Sequence, residues 1–345
     1  MIKVLTYNEI DRSEWSRLVQ ASATGTWFQT PEAFEFFESM PQLFMPFAIA
    51  VERVNELTNE RTLRGVCVGY VTVERNPIKQ YFTRRAIIIG GPVIANDATS
   101  EEVETLMIAV RNQFKILDLR FKILNSPIFI ETRNFNDYSR WKGAFEKAGF
   151  EYKKHLNFHV DCTDKEKMWE RLSKTRQKQI RRALRSGVEV VEPAEEDVKK
   201  WYAILQEMYR QKVKLPLLPM DFFLNAYRSG KAKYLMVKYK GEVIGGLMFE
   251  MDEKSVYEWY VCGLDSAYER QYPSVVATYA GMEYANTHGR KCCDLMGAGE
   301  PGVSYGVRDF KERFGGELVE HGRFVCVREP ILYKIGVLAV KMMRG

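Results

Sequence analysis

The chain has little of what metal or disulfide chemistry needs. Only four histidines occur in 345 residues (His155, His159, His288 and His321), without HExxH or comparable ligand spacing, so no metal site is expected. Six cysteines fall at irregular intervals with no CxxC pair. That argues against a zinc ribbon or a disulfide frame and fits reduced thiols in a cytosol. No apolar run approaches membrane-spanning length, and the opening MIKVLTYNEIDRSEW lacks the apolar core of a secretory signal. The expected location is the cytoplasm, free or at the inner face of the membrane. Charge is not one-sided either. A formal net charge of +6 permits an anionic partner such as phosphate, nucleic acid or a lipid surface without requiring one.

What is present is an ordinary globular composition, 46% hydrophobic and 28% charged, in a chain longer than one core normally serves. Two domains are expected, 1–160 and 161–327, followed by a tail, 328–345. Hydrophobic periodicity predicts helices over Asp11–Gln20 and from Pro31, where Thr30 is a natural N-cap. Strands are predicted at Phe47–Glu52, Gly65–Glu74 and Ala86–Ile94, followed by a helix from Ser100 to about Leu117. A strand near Ile128–Glu131, a helix over Tyr138–Ala148 and a strand ending near Val160 complete this half. In the second half, Thr163-x-x-Glu166 reads as a capping box for one long basic helix ending at Gly187. Helices from Pro193 and over Asp221–Arg228 precede strands Tyr234–Tyr239, Val243–Met251 and Val256–Gly263. A helix over Pro273–His288 then leads to a strand at Cys292, a helix at Lys311 and a last strand, Arg323–Val327.

The stretch Lys291–Gly322 draws attention to chemistry. A short apolar run is broken by Asp294, and a bend with four glycines (Gly297, Gly299, Gly302, Gly306) leads into a short helix. Asp294, Glu300, Tyr305, Arg308, Asp309 and Lys311 cluster around it as candidate ligand contacts; an ordinary strand–turn–helix with solvated charges is the competing reading. A weak internal repeat bears on this. Glu146–Phe158 aligns without a gap on Glu312–Phe324, with Glu, Gly, Glu, His and Phe coinciding. Lys311 then falls opposite Phe145. The two halves share a scaffold, and only the second carries an amine at that place.

The element order of each half is that of the GNAT fold. The segments TWFQTP, TRQKQIRRALRSGVEV, YVCGLD, DLMGAG and DFKERFGG together resemble the FemABX family of peptidoglycan aminoacyltransferases and related FemAB-like proteins, over about Trp15–Tyr333. The resemblance implies an α/β protein of two tandem GNAT-like (acyl-CoA N-acyltransferase-like) domains. It implies transfer of an aminoacyl or other acyl group, from aminoacyl-tRNA or another donor, to an amine of a phosphate-bearing cell-envelope precursor, with no resident cofactor. The family's Phe-Lys pair corresponds to Phe310-Lys311. Acyl transfer builds negative charge on a carbonyl oxygen, and a fixed cation lowers that barrier, the expected role of Lys311. Asp309 is the expected general base, with Asp294, Glu300 and Tyr305 lining the cleft. Trp27 and Gln29 of TWFQTP are further expected substrate contacts. Arg176 falls in the apolar stripe Trp169, Leu172, Ile180, Ala183 and is expected to form a salt bridge or meet a phosphate. Arg210 matches a basic position of relatives.

Two departures from related patterns stand out. The loop that cradles pyrophosphate in acetyl-CoA-binding GNAT proteins is glycine-rich, whereas Tyr268–Ser274 (YERQYPS) holds no glycine and Pro273 removes an amide donor. Nor is there length between Pro193 and Gly230 for the helical arm of staphylococcal-type Fem transferases. Alternatives are an acyl-CoA- or acyl-carrier-dependent N-acyltransferase of lipid or polysaccharide synthesis, and a non-catalytic binding module. The apolar tail Ile331–Met343, with interspersed Lys334 and Lys341, is expected to dock as a terminal helix; peripheral membrane contact is the alternative.

Overall fold

A computed structural model describes residues 1–115 and 126–344. The chain forms two compact units, residues 1–155 with 320–342, and residues 156–319. The first unit is built on a sheet of β1 (Ile2–Thr6), β2 (Phe44–Val54), β3 (Arg61–Thr72), β4 (Ala86–Gly90), β5 (Val93–Ile94), β6 (Phe129–Asn134), β7 (Glu151–Lys153) and β15 (Arg323–Val327). Its order is β1-β2-β3-β4-β6-β15-β7, with β5 beside β3. The second unit holds β8 (Leu156–Asp161), β9 (Val188–Val191), β10 (Lys233–Tyr239), β11 (Glu242–Met251), β12 (Ser255–Gly263), β13 (Cys292–Gly297) and β14 (Glu317–Glu320), in the order β14-β8-β13-β12-β11-β10-β9.

The two sheets are built alike. Most neighbours are antiparallel, and each sheet has one parallel pair whose connection includes a helix. That helix is Ser100–Asn112 between β4 and β6, and Pro273–Thr287 between β12 and β13. The period of two along the buried strands sets which side chains meet which helices. In β2, Ala48 and Ala50 join Trp15, Val19 and Phe34 on one face, while Ile49 and Val51 join Leu106, Met107 and Phe145 on the other. In the second sheet Leu235, Val237, Leu247, Phe249 and Val256 pack with Ile180, Val276 and Ala277. On its opposite face Trp259 and Tyr260 meet Phe222 and Phe223 edge-on.

The expected boundaries at 160 and 327 move for a topological reason. β8 pairs with β13, so it belongs to the second sheet, while β15 pairs with β6 and β7 in the first. Each sheet therefore takes one strand from the stretch that sequence order assigns to the other half. The repeat falls on matching elements. Helix Lys142–Lys147, β7 and β8 correspond to helix Gly306–Glu312, β14 and β15, and Gly149 and Gly315 both turn the chain at positive φ.

Several local expectations also change. The long basic helix is two: Asp164 caps Lys165–Arg171 through the amides of Glu166 and Lys167, and Ser173 caps Lys174–Arg185 through that of Arg176. Leu172 is extended at the break, and the Ser173 amide donates to the Arg313 carbonyl at 3.0 Å, a tertiary bond that local pattern does not reveal. Thr99 caps the helix Ser100–Asn112, in a full capping box with Glu102; the expected end near Leu117 lies outside the described residues. β1, β9 and the helix Pro77–Thr83 were not expected. The tail is a helix, Pro330–Arg344, with the Tyr333 ring against Phe129 at 5.2 Å.

Candidate active site

The chemistry-bearing residues of the second unit converge where β12 and β13 part. Their parallel pairing runs from Ser255 with Cys292 to Tyr257 with Asp294 and stops there. On the other side β13 pairs with β8, with an irregularity between Asp294 and Gly297. Met296 takes the left-handed conformation at this point (φ 61°), uncommon for a residue with a Cβ. Beyond the last pair, the carbonyls of Leu295 and Gly297 accept hydrogen bonds from Lys311 Nζ, the latter at 3.0 Å. Lys311 comes from the short helix Gly306–Glu312 and is 8% exposed. Burial holds its pKa below the usual lysine value, while Glu258 and Asp294 pull the other way. An ammonium has three donors, so one remains.

Glu258 is the residue that sequence reasoning missed. It stands on β12 one position past the last pair, and its alternation with Val256 turns it toward helix Pro273–Thr287. Both carboxylate oxygens are buried without a hydrogen-bond partner. The buried Thr278 hydroxyl faces them without reaching full hydrogen-bond geometry. Burial lifts the carboxyl to about 7, against the restraining pull of Lys311 and Thr278. A carboxyl titrating near neutrality is suited to exchange a proton with an amine. The available signal was a charged residue inside SVYEWYVCG, a strand otherwise aromatic or aliphatic. His159 was missed as well. From β8 its Nε2 reaches Asp294 Oδ2 at 3.4 Å. Burial pushes the imidazole down, and Asp294 more than offsets it, leaving the pKa raised. The other Asp294 oxygen accepts from the Met296 amide at 2.6 Å, fixing the β13 irregularity.

The remaining expectations divide. Asp294 and Lys311 are buried, but Glu300, Tyr305 and Asp309 are exposed on the glycine-rich bend and the helix after it. Asp309, the expected general base, is exposed, whereas Glu258 is desolvated. The bend is held instead by Arg308, whose guanidinium donates to the carbonyls of Ala298, Val303 and Glu300. The Tyr305 ring lies against Gly299, where a Cβ would come within 2.9 Å. Phe310 works with Arg176. The guanidinium packs over the rings of Phe310 and Phe314 at 4.6 and 5.0 Å and donates to the Phe310 carbonyl and Gln179. The expected salt bridge of Arg176 does not account for these contacts, and its Nε is buried with no partner. Burial, with Arg313 adding repulsion, brings its pKa down to about 10.

Gln29, in the first unit, is corrected outright. It is fully buried; its amide donates to the carbonyls of Val68 and Ile89 and accepts from the Val68 amide, tying β3 to β4. Trp27 beside it is half-buried against Phe28 and Phe36. Arg210 is exposed and paired with Glu207 at 2.6 Å, on a π-helical turn, Tyr209–Val213. Among the described residues no group of histidine, cysteine and carboxylate side chains is placed to hold a metal ion.

The loop from β12 into helix Pro273–Thr287 is filled from within. The amides of Tyr268, Gln271 and Tyr272 bond to carbonyls of Leu264 and Tyr268. Pro273 has no amide hydrogen. Asp265 accepts from the Ser274 amide at 3.1 Å and from its hydroxyl at 2.5 Å. A helix N-terminus favours an anion, and here the chain supplies its own carboxylate.

Comparison with known proteins places this geometry. The model of the acetyltransferase (GNAT) domain matches residues 173–312, and no curated protein matches the sequence. A solved FemX structure superposes with a TM-score of 0.68, at 14% identity, over 96% of this chain and 99% of that one. The fold is that of FemX.

The FemX-like fold comprises two GNAT-like domains in tandem. A tandem GNAT protein from the clavulanic acid biosynthesis pathway matches at TM-score 0.55 and 10% identity, over 94% of this chain and 98% of that one. The C-terminal domain of a putative lysylphosphatidylglycerol synthetase from Agrobacterium fabrum matches at 0.54 and 12%, over 95% and 96%. At such identities the likeness is one of fold.

Proposed function

We propose that the chain transfers an aminoacyl group to an amine of a phosphate-bearing cell-envelope precursor of the peptidoglycan type, at the parting of β12 and β13 in the FemX-like fold. The observation that carries this is the buried Glu258–Lys311 arrangement. Glu258 takes a proton from the acceptor ammonium, leaving a neutral amine to attack the donor's ester carbonyl. The third N–H of Lys311 stabilises the oxyanion that forms, in a site dry enough for one charge-assisted bond to matter. Collapse forms the amide and expels the donor's hydroxyl oxygen, which takes up a proton as it leaves. Arg176, with its free Nε, is the proposed phosphate contact.

The filled loop at Tyr268–Ser274 favours aminoacyl-tRNA over an acyl-CoA donor, because the amides of Tyr268, Gln271, Tyr272 and Ser274 are spent and Asp265 would repel a pyrophosphate. The basic helix Lys174–Arg185, with a surface hollow of about 510 Å³ lined by Lys178, Arg181, Arg182, Arg185 and Ser186, is the proposed contact for the nucleic-acid part of that donor. Donor competition tests the reading. Aminoacyl-tRNA, acyl-CoA and acyl-carrier protein are offered with muropeptide precursors and simple amines, and the acceptor's mass is followed. Transfer from aminoacyl-tRNA alone is expected. Transfer from acyl-CoA would reverse the donor assignment, and no transfer from any donor would refute the enzyme.

A further inference from the structure

One end of the first unit carries apolar side chains that remain exposed among the described residues. β4 begins at Ala86, β6 begins at Phe129 parallel to it, and β15 ends at Val327 antiparallel to β6. The helix Pro77–Thr83 enters β4 and the helix Pro330–Arg344 leaves β15, so both hang from the same end of the sheet. Backbone bonds join them: Ile128 N–H donates to the Arg84 carbonyl, and the Ile128 carbonyl accepts from Arg328 and Glu329.

In the last helix Ile331, Ile335, Leu338 and Met342 are all exposed, Ile331 at 76% and Met342 at 70%. Their spacing of four, three and four residues puts them on one stripe. Tyr333, on the opposite side of the helical wheel, packs against Phe129. The helix is thus anchored by one side with its most apolar stripe turned away. The neighbouring helix adds exposed Ile78 (72%), Tyr81 and Phe82, and is itself fastened by Arg84, which donates to the carbonyls of Tyr81 and Ser126. Charge completes the pattern. Glu74–Arg85 and Arg328–Gly345 each hold four Lys/Arg against one Glu, so these two segments alone match the chain's net +6.

We propose that this end of the first unit docks on an anionic lipid bilayer, the apolar stripe and the Ile78–Phe82 cluster entering the headgroup boundary and the cations meeting lipid phosphates. A second copy of the chain is the poorer occupant, since the same face would bring two positively charged segments together. Nor does an aliphatic stripe serve a bare polyanion. Apolar side chains on two segments of net positive charge suit a surface that is apolar beneath and anionic above.

Co-sedimentation of the full chain with phosphatidylcholine vesicles, with and without phosphatidylglycerol, tests this. Binding to the anionic vesicles, weakened by salt, is expected, with little binding to neutral ones. The double variant Ile335→Ser/Leu338→Ser lowers partitioning by about tenfold or more, and Phe82→Ser lowers it severalfold through the other helix. The three side chains are about half exposed, Phe82 at 46%, Ile335 at 49% and Leu338 at 55%, so thermal unfolding shifts by only a few degrees. Three results would each overturn the proposal: no pelleting with anionic vesicles, undiminished pelleting of both variants, or light scattering showing a wild-type dimer that Ile335→Ser/Leu338→Ser converts to monomer.

Discussion

Replacing Glu258 by Gln separates what the carboxyl does for the fold from what it does in the reaction. The buried group titrates at about 7 rather than the usual 4.5. The folded state therefore holds its proton to higher pH than the unfolded chain. For such a raised carboxyl, stability falls as pH climbs from about 4.5 through 7, and the whole cost is present at pH 8. At about 1.4 kcal/mol per pH unit of difference, ionising Glu258 costs the fold about 3 kcal/mol. An amide at this position would carry no such cost, but Lys311 would lose the carboxylate that most holds its proton and become easier to deprotonate. The net expectation for Glu258→Gln is no gain near pH 4.5 and a stabilisation of about 2 kcal/mol at pH 8. Urea unfolding of both proteins at the two pH values measures it. Acyl transfer is expected to fall by about 10²–10⁴, with loss of the pH limb near neutrality. A variant equally stable relative to wild type at both pH values, or destabilised at pH 8, would refute the burial argument. A variant with unaltered turnover would remove Glu258 from the mechanism even if the stability result stood.

Lys311→Met leaves the Leu295 and Gly297 carbonyls without their donor; it should destabilise by about 2–4 kcal/mol and cut turnover about a hundredfold or more, read by urea unfolding and single-turnover transfer. His159→Asn removes a histidine whose folded pKa is raised by Asp294. That stabilisation is present below about pH 6.5 and disappears as pH rises through the folded value, so the variant should lose more stability at pH 5.5 than at pH 8.5. Gln29→Leu strands one amide and two carbonyls between β3 and β4; a loss of about 3 kcal/mol or more is expected, while KM for the acceptor in the folded fraction stays at the wild-type value. Asp265→Gly opens the N-terminus of helix Pro273–Thr287, and thermal shift by coenzyme A, absent in the wild type, should appear.

The architecture was legible because it rests on local periodicity and the order of elements. Alternating strands, the Thr30–Pro31 start, and a glycine after each short helix (Gly149, Gly315) are signals confined to a few residues. The repeat set Lys311 opposite Phe145, which in the first unit stacks on Phe324 at 4.0 Å, and the folded elements keep that correspondence. Burial was the part that sequence handled poorly. Glu300, Tyr305 and Asp309 looked enclosed beside a glycine-rich bend and are exposed, while Glu258, an unremarked charge in a strand, is enclosed. Local pattern says which face of an element a residue occupies. Whether a second layer covers that face depends on contacts such as Glu258 with the helix bearing Thr278, or His159 with Asp294 across 135 positions of chain. The same holds for connectivity. Residue order was enough to define two GNAT-like halves and the amine that one of them carries. It took the folded chain to show that β8 and β15 change sheets, that Asp265 fills the helix end an anion would take, and that a carboxyl lies dry beside Lys311. Strand pairing and desolvation are set by groups distant in sequence, and no short-range pattern encodes them.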